Sequence, residues 1–494
     1  MLKCQRIRDP LHNLIEFDPT DQFEQVLWQV IGSRSFQRLR RIRQLGFSEL
    51  VYPGATHTRF AHSIGVFHTA RRLMTLIRQH VKLHGGQVKE HQLQVALAAA
   101  LVHDIGHGMF SHAFEDIGKA LNLKMAHHEE VSDAIIRSSE IREAFTELGP
   151  SFVDEVADVI KRGRPGNLYD AVVSSQFDAD RLDYMRRDRL MTGVQNSGID
   201  FDWLLANLEI GEVKIGVDDQ PLRPIETFVL GPKAFHAAET YILALFQLYP
   251  TVYHHKTTRA AEKVFSALML RLIRLIRNKH VKKTGLPKAH PFIRFAQDSD
   301  NLQHALALDD AVFWGALPLM AEADDQVIRS CACRLRDRKL PKCIDIYDRL
   351  VAEPGTETGT AYLVEAKKRL ERLTAAIRIR LTEWSDTNSG KQTGSPEETD
   401  VAPRILVDFA SRTPYKPFRQ TTGPLNQILI RGADNVPRDM AHCSPVVAAI
   451  EEFKLFRAYV DNTDQEAKQA VDAIIAEELG RERHARQTGP SESG

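Results

Sequence analysis

Between Leu93 and Val102 only Gln94 is polar, and the run Leu-Gln-Val-Ala-Leu-Ala-Ala-Ala-Leu-Val predicts a helix buried on all sides. Helical periodicity dominates residues 60–280, with breaks near Gly85-Gly86, Gly163–Gly166 and Gly193–Gly198. Residues 21–45 read as helical and carry Arg34, Arg38, Arg40, Arg41 and Arg43; before them, residues 1–20 read as an extended or irregular lead-in broken by Asp9-Pro10 and Asp18-Pro19. Residues 257–280 alternate apolar pairs with Arg271, Arg274 and Arg277, an amphipathic helix with a solvated basic face. Beyond 285 the pattern shortens. Strands are predicted at Arg404–Phe409 and Gln427–Ile430, a flexible loop at 385–401, a long helix over 444–479 and a disordered tail after 480. This divides the chain into a helical region 1–285, an α+β region 286–480 and the tail 481–494, with no internal repeat.

Composition narrows the class. At 494 residues the chain exceeds one simple core, and 43% hydrophobic with 26% charged residues is ordinary for a soluble protein. Lys plus Arg equals Asp plus Glu at 65 each, so no global attraction to nucleic acid or membrane follows. Cys4, Cys331, Cys333, Cys343 and Cys443 form no CxxC pair, which suits reduced thiols packed in a cytoplasmic protein. The start lacks the apolar core of a signal peptide, and the 93–102 run is too short to span a bilayer.

The chemistry concentrates where that apolar run ends. His103-Asp104 follows it directly, in Leu101-Val102-His103-Asp104-Ile105-Gly106-His107-Gly108. A carboxylate extending a buried rod is costly unless compensated, and a metal compensates it. His62 upstream and the acids of Phe177-Asp178-Ala179-Asp180-Arg181-Leu182-Asp183-Tyr184 downstream complete a His…His-Asp…Asp set, suited to a hydrolytic divalent metal. His107, His112 and His127-His128-Glu129 follow within 27 residues. Asp180, Tyr184 and Asp188 fall at i, i+4 and i+8 and share one helix face; Asp183, Arg186, Arg187 and Asp188 also read as a surface salt-bridge row. Arg59, three residues before His62, can bind phosphate bidentately.

Three blocks carry a family resemblance: Tyr52-Pro53-Gly54 through Arg59-Phe60-Ala61-His62-Ser63-Ile64-Gly65, His103-Asp104-Ile105-Gly106-His107 through His112, and Asp178 through Tyr184 with Arg187-Asp188. They resemble the HD-domain phosphohydrolases, and within them the dNTP triphosphohydrolase branch, over most of residues 5–260. The resemblance implies a mainly α fold, with 1–285 as a helical HD (HD/PDEase-like) catalytic core and 286–480 as a smaller α+β C-terminal region serving accessory or oligomerisation roles. It implies a metal held by His62, His103, Asp104 and Asp180, with Asp178 the competitor for the last place. It assigns His107 and His128 to catalysis, His128 as general acid toward the leaving 5′-oxygen. Arg59, His112 and Arg181 match phosphate-contacting positions. Gln44, Leu45, Tyr184, Asp188 and Tyr253 match the deoxyribose pocket, where Tyr253 would exclude a 2′-hydroxyl. The implied reaction is dNTP plus water to deoxynucleoside plus triphosphate, a dGTPase-like activity in dNTP catabolism. The metal can be Mn, Fe, Mg, Zn or Ni. The implied partners are dNTPs, an activating nucleotide and a second copy of the chain, as dimer or tetramer.

Two departures qualify the match. A triphosphate-contacting Arg of the branch aligns with Leu245. At the activating site Gln37, Arg40, Lys256, Arg338 and Lys342 match, but an acid near position 32 is Gly32 and a basic residue near Asp202-Trp203 is missing. Two rival readings accompany the dNTPase: an HD phosphodiesterase, nuclease or nucleotidase acting on nucleic acid or another phosphate ester, and a nucleotide-sensing HD protein without catalysis. The 34–43 cluster supports the nuclease reading, and the neutral net charge weighs against it.

Overall fold

The structure, a computed structural model, describes residues 4–213, 216–217, 220–221, 224–351, 360–388, 403–417 and 423–488. They form two compact units interleaved along the chain: Met1–Tyr253 with Arg294–Trp314 and Thr413–Glu451, and His254–Ile293 with Gly315–Arg412 and Glu452–Gly494.

The first unit is mainly helical. Strands Gln5–Asp9 and Asn13–Phe17 form an antiparallel hairpin, with Asn13 in the left-handed region (φ 63°) closing the turn. Helices α1 (Arg59–Leu83), α2 (Glu90–Val102), α3 (His112–Leu121), α4 (His128–Ser138), α5 (Ala179–Thr192) and α6 (Phe235–Leu248) build the core. α2 is buried all round, as its apolar run predicts: Leu93 and every residue from Val95 to Val102 are buried. α1 packs on both α2 and α5. At the α1–α5 crossing a Cβ on Gly65 would sit 2.1 Å from Asp183 Oδ1 and 2.2 Å from Arg187 Nη2, so only glycine permits the approach.

Three expectations need correction here. α2 stops at Val102, so His103 and Asp104 do not extend a rod; they begin an irregular turn that runs to α3. The region 21–45 is not one helix, because Ser33 interrupts it: Gln22–Gly32 ends there, and the Ser33 hydroxyl caps Arg34–Gln37 by accepting from Phe36 N at 3.2 Å. The stretch 60–280 is not wholly helical either. Leu208–Val213 and Ile225–Leu230 pair antiparallel, and the second also runs parallel to Leu429–Arg431, which pairs with Pro437–Asp439. The signal was present in Leu208 and Ile210, buried at alternate positions with Glu209 exposed between them.

The second unit holds the amphipathic helix Lys256–Arg277 and a three-stranded antiparallel sheet. Phe453–Val460 is its central strand, between Lys342–Asp345 and Ile405–Arg412. The long helix read over 444–479 is therefore broken by a strand. A central strand buries both faces, so its near-continuous apolar run mimics a helix. Helix Gln465–Thr488 follows, burying Ala467, Val471, Ile474 and Ile475 in a core with Leu373, Ile377 and Phe456. Residues 481–488, read as tail, continue this helix, where Arg369 meets Glu482 at 2.8 Å; the remainder of the tail lies outside the described residues. Of the expected loop 385–401, residues 385–388 end the helix Thr360–Asn388 and 389–401 lie outside the described residues. Among the described residues the five cysteines are free, with Cys331 buried in Gln326–Arg336, and no helix is long and apolar enough to cross a membrane.

Candidate metal centre

α1, the turn after α2 and the start of α5 bring the His…His-Asp…Asp set together. His62 is fully buried on α1. Its Nε2 faces Asp180 Oδ1 at 3.0 Å and Asp104 Oδ2 at 3.7 Å. His103 Nε2 faces Asp104 Oδ1 at 3.4 Å and Asp180 Oδ1 at 3.7 Å. Ligand atoms of His62, His103 and Asp180 all lie within 4.8 Å of one another. His103 Nδ1 donates to Ala100 O at 2.9 Å, which leaves Nε2 as the free ligand atom, and that buried nitrogen has no hydrogen-bond partner. An orphaned imidazole nitrogen facing two carboxylates is what a divalent cation satisfies, so the residues present fit a metal. Burial pulls the His62 imidazole down, but Asp180, Asp183 and Asp104 outweigh it and push it up to about 10, a field that favours a cation at this point. Asp104 is also bound by the Arg59 guanidinium, whose Nε donates to Ser111 Oγ at 2.9 Å.

Asp178 is elsewhere. It caps α5, accepting from Arg181 N at 2.8 Å and Ser175 N at 2.9 Å, and it holds Arg181 Nη1 at 2.6 Å. Arg181 is thus tied to Asp178 and to Ser175 O.

Asp183, read as part of a surface row, is fully buried, as is Arg187. It accepts from His62 Nδ1 at 2.9 Å, His12 Nε2 at 2.6 Å and Arg187 Nε at 2.7 Å. Burial pushes its carboxyl up, but Arg187 and the two histidines hold it well below the carboxylate range. The result is a carboxylate–imidazole pair that fixes which His62 nitrogen points into the centre. Asp183→Asn is expected to lower metal affinity about 10–100-fold, read by competition with a chromophoric chelator; unchanged affinity would remove Asp183 from this role.

A second cluster adjoins. His107 and His128 stack with ring centroids 4.1 Å apart and planes at 10°. Glu115 on α3 joins them: Oε1 accepts from His128 Nδ1 at 2.6 Å and lies 3.5 Å from His107 Nδ1, while Oε2 meets His112 Nδ1 at 3.1 Å. His107 Nε2 lies 3.3 Å from Asp104 Oδ1, linking the clusters. Burial and then Arg59 hold His107 well below its ordinary value, whereas Glu115 overcomes burial and raises His128. The two stacked rings are thus biased in opposite directions, His107 toward the neutral form and His128 toward the protonated one. The enclosing turn is tight: a Cβ on Gly106 would meet His128 O at 2.1 Å, and Phe110 and Ser111 adopt left-handed φ of 50° and 52°. The sequence reading missed Glu115, whose only signal was its i+3 spacing from His112.

Farther along α5, Asp188 Oδ2 accepts from Tyr253 OH at 2.8 Å, and its Oδ1 lies 2.8 Å from His57 Nε2. Tyr184 meets Tyr253 edge-on at 6.1 Å. Gln44 N donates to His57 O, and the buried Gln44 Oε1 has no partner. Leu45 follows Gln44 at the start of the turn Gly46–Leu50. Leu245 is buried in α6.

Asp310 secures this side. It accepts from Arg43 N and Phe110 N, each at 2.8 Å, and so ties the Gln44 loop to the turn after Asp104. Burial pushes its carboxyl up to about 7 despite both donors. A raised folded value means stability fully present below the unfolded carboxyl value and lost as pH rises to about 7. Asp310→Asn leaves one N–H without a good acceptor and should cost about 1–3 kcal/mol at pH 5. It should cost less at pH 8, where only the wild type bears the buried charge; denaturant titrations at both pH values read the difference.

Residues 59–185 match the HD domain and 222–289 the HD-associated region. The uncharacterized protein YwfO of Bacillus subtilis is 30% identical over 337 residues, covering 67% of this chain and 70% of that one. Mouse deoxynucleoside triphosphate triphosphohydrolase SAMHD1 is 28% identical over 365 residues, 66% of this chain and about half, 52%, of the mouse protein. The crystal structure of a phosphohydrolase from Bacteroides thetaiotaomicron superposes with a TM-score of 0.65 at 24% identity, covering 93% of this chain and all of that one, a likeness of fold.

Proposed function

The chain belongs to the HD-domain family with an HD-associated region, and from that premise we propose that it is a divalent-metal-dependent dNTP triphosphohydrolase, releasing deoxynucleoside and triphosphate. The observation that carries this reading is the polar chain Gln44–His57–Asp188–Tyr253. It ends in a buried, unpartnered Gln44 Oε1, an acceptor suited to a substrate hydroxyl. Asp188 lies eight residues beyond Asp180 on one face of α5, about 12 Å along the axis, so the helix offers a metal ligand at one end and a hydroxyl-binding carboxylate at the other. Tyr253 closes against Asp188 and Tyr184, the crowding that disfavours a 2′-hydroxyl.

His62, His103, Asp104 and Asp180 would hold the divalent metal, which when bound would supply Lewis-acid polarisation of the phosphate. His62 is oriented by Asp183 and His103 by Ala100 O. Water adds to the α-phosphorus as its bond to O5′ breaks and gives up a proton to bulk solvent, while protonated His128, held by Glu115, donates the proton that O5′ needs and is later reprotonated from solvent. Neutral His107 stacks beneath it and fixes the ring plane. Arg59 and His112 stand by as phosphate contacts, the first buried beside Asp104 and the second with an exposed ring. Arg181 reaches that role only by leaving Asp178. The reading extends to a homo-oligomer and to activation by a nucleotide through Gln37 and Arg40, tested by light scattering with and without GTP.

The deciding experiment incubates the protein and Mn²⁺ or Mg²⁺ with each dNTP, with the four together with and without GTP, and with the matching NTPs. Deoxynucleoside and triphosphate are then resolved by chromatography. Triphosphate from dNTPs only, absent in the double variant His103→Ala/Asp104→Ala, is the expected result. Turnover confined to monophosphates or nucleic acid would overturn the substrate assignment while leaving a metal-dependent hydrolase.

A further inference from the structure

On the far side of the turn after Asp104 lies a cavity of about 710 Å³, walled by Arg34, Arg38, Arg41, Ser35, Gln303 and Asp309 among others, all in the first unit. It shares no residue with the metal centre or with the Gln44–Tyr253 chain. Arg38 is unusual in its wall. It is only 3% exposed, and among the described residues no carboxylate lies within ion-pair distance of it. Its Nη2 donates to Ile105 O at 2.9 Å and His107 O at 2.8 Å, and its Nη1 reaches Leu308 O at 3.5 Å. Its buried Nε has no partner at all. Part of this guanidinium is therefore committed to the turn that carries His107, and part is uncommitted. A buried cation without a counter-ion is expensive, and an anionic ligand offsets that cost.

The remaining walls keep the balance positive. Arg34 and Arg41, four residues before and three after Arg38, are exposed. The carboxylates facing them are engaged: Asp309 holds Arg41 Nε at 2.6 Å and Val312 N at 3.0 Å, and Glu140 accepts from Ser35 N at 3.2 Å. Three guanidinium groups against two engaged carboxylates leave one net positive charge, and guanidinium geometry matches phosphate oxygens bidentately. The volume lies within the range of small-molecule sites.

We propose that this cavity is a second anion site, taking an oligophosphate, either inorganic or carried by a nucleotide, on Arg38 and Arg34. It is independent of the dNTPase reading and of the metal.

The test is calorimetric titration of the full-length protein in EDTA, which removes divalent metal from the catalytic centre, with inorganic triphosphate, pyrophosphate and GTP as probes. The wild type is expected to bind one oligophosphate per chain. Arg34→Glu, a change at an exposed side chain outside the catalytic centre, should weaken binding at least tenfold, and Asp180→Asn should leave it unchanged. GTP binding tenfold tighter than triphosphate assigns a nucleotide as occupant; equal affinities assign the inorganic oligophosphate. Binding that survives Arg34→Glu but changes in Asp180→Asn places the anion in the catalytic centre and overturns the proposal, as does no saturable binding up to millimolar probe. Arg38→Lys, which keeps the charge but loses the planar donors, separates a bidentate site from a diffuse one: it should weaken binding with the circular-dichroism melting curve retained, and undiminished affinity would overturn the role of Arg38.

Discussion

Asp180→Ala leaves a folded protein that no longer retains a divalent metal and hydrolyses its substrate about 10³-fold more slowly or worse. Asp180 is the informative ligand to remove because it does the least structural work. It is half-buried in the first turn of α5, and its carboxylate faces the imidazoles of His62 and His103. His62 keeps its bond to Asp183 without it, and the α5 cap rests on Asp178. Asp104 is a poorer choice, since it also balances buried Arg59 and its loss would leave an unpaired cation. With one of the four proposed ligands gone, several kcal/mol of transition-state charge stabilisation should go too, and about 1.4 kcal/mol is tenfold in rate. Elemental analysis after dialysis, beside steady-state rates, reads both effects. Full activity with full metal content would falsify the ligand assignment.

Glu115→Gln should lower kcat about 10²- to 10⁴-fold at pH 8 and move the alkaline limb of its pH profile to lower pH. The sign follows from the environment of His128. Burial pulls that imidazole down, and Glu115, first by its hydrogen bond and then by its charge, more than reverses the pull. His128 therefore stays protonated, and able to donate, to a higher pH than a free histidine. The amide that replaces the carboxylate retains a hydrogen-bond acceptor but not the charge, so burial then prevails, His128 loses its proton earlier, and the rate falls from a lower pH upward. The lesion should be smaller at pH 5.5 than at pH 8. A merely structural role for Glu115 would depress the rate equally at both pH values, so a limb that stays in place would remove His128 from the acid's role.

The candidate metal cluster stood out in the sequence because its residues are chemically odd at their positions: an imidazole and an acid directly follow a run with one polar residue in ten. The helical core was legible for the related reason that α2 must be buried all round. The carboxylates behind the histidines were not. Glu115 and Asp183 have the same composition and spacing as solvated helix acids, and only the fold reveals that one lies against three imidazoles and the other against two. The strand Phe453–Val460 was hidden by its central place in a sheet, and the four-stranded sheet of the first unit by the 200 positions (430 − 230) that separate the paired residues Leu230 and Ile430. Pairing across such distance leaves no local trace.

The hairpin at the start of the chain holds none of the candidate metal ligands, yet Asp183 depends on it. Arg187 shares its guanidinium between Asp183 and Asp9, and His12, at the hairpin's turn, supplies another of Asp183's protons. A carboxylate with one donor removed and a guanidinium with one acceptor removed would then meet beneath His62. Removing the first dozen residues would for this reason disturb the candidate metal centre from the periphery, by taking Asp9 from Arg187 and His12 from Asp183.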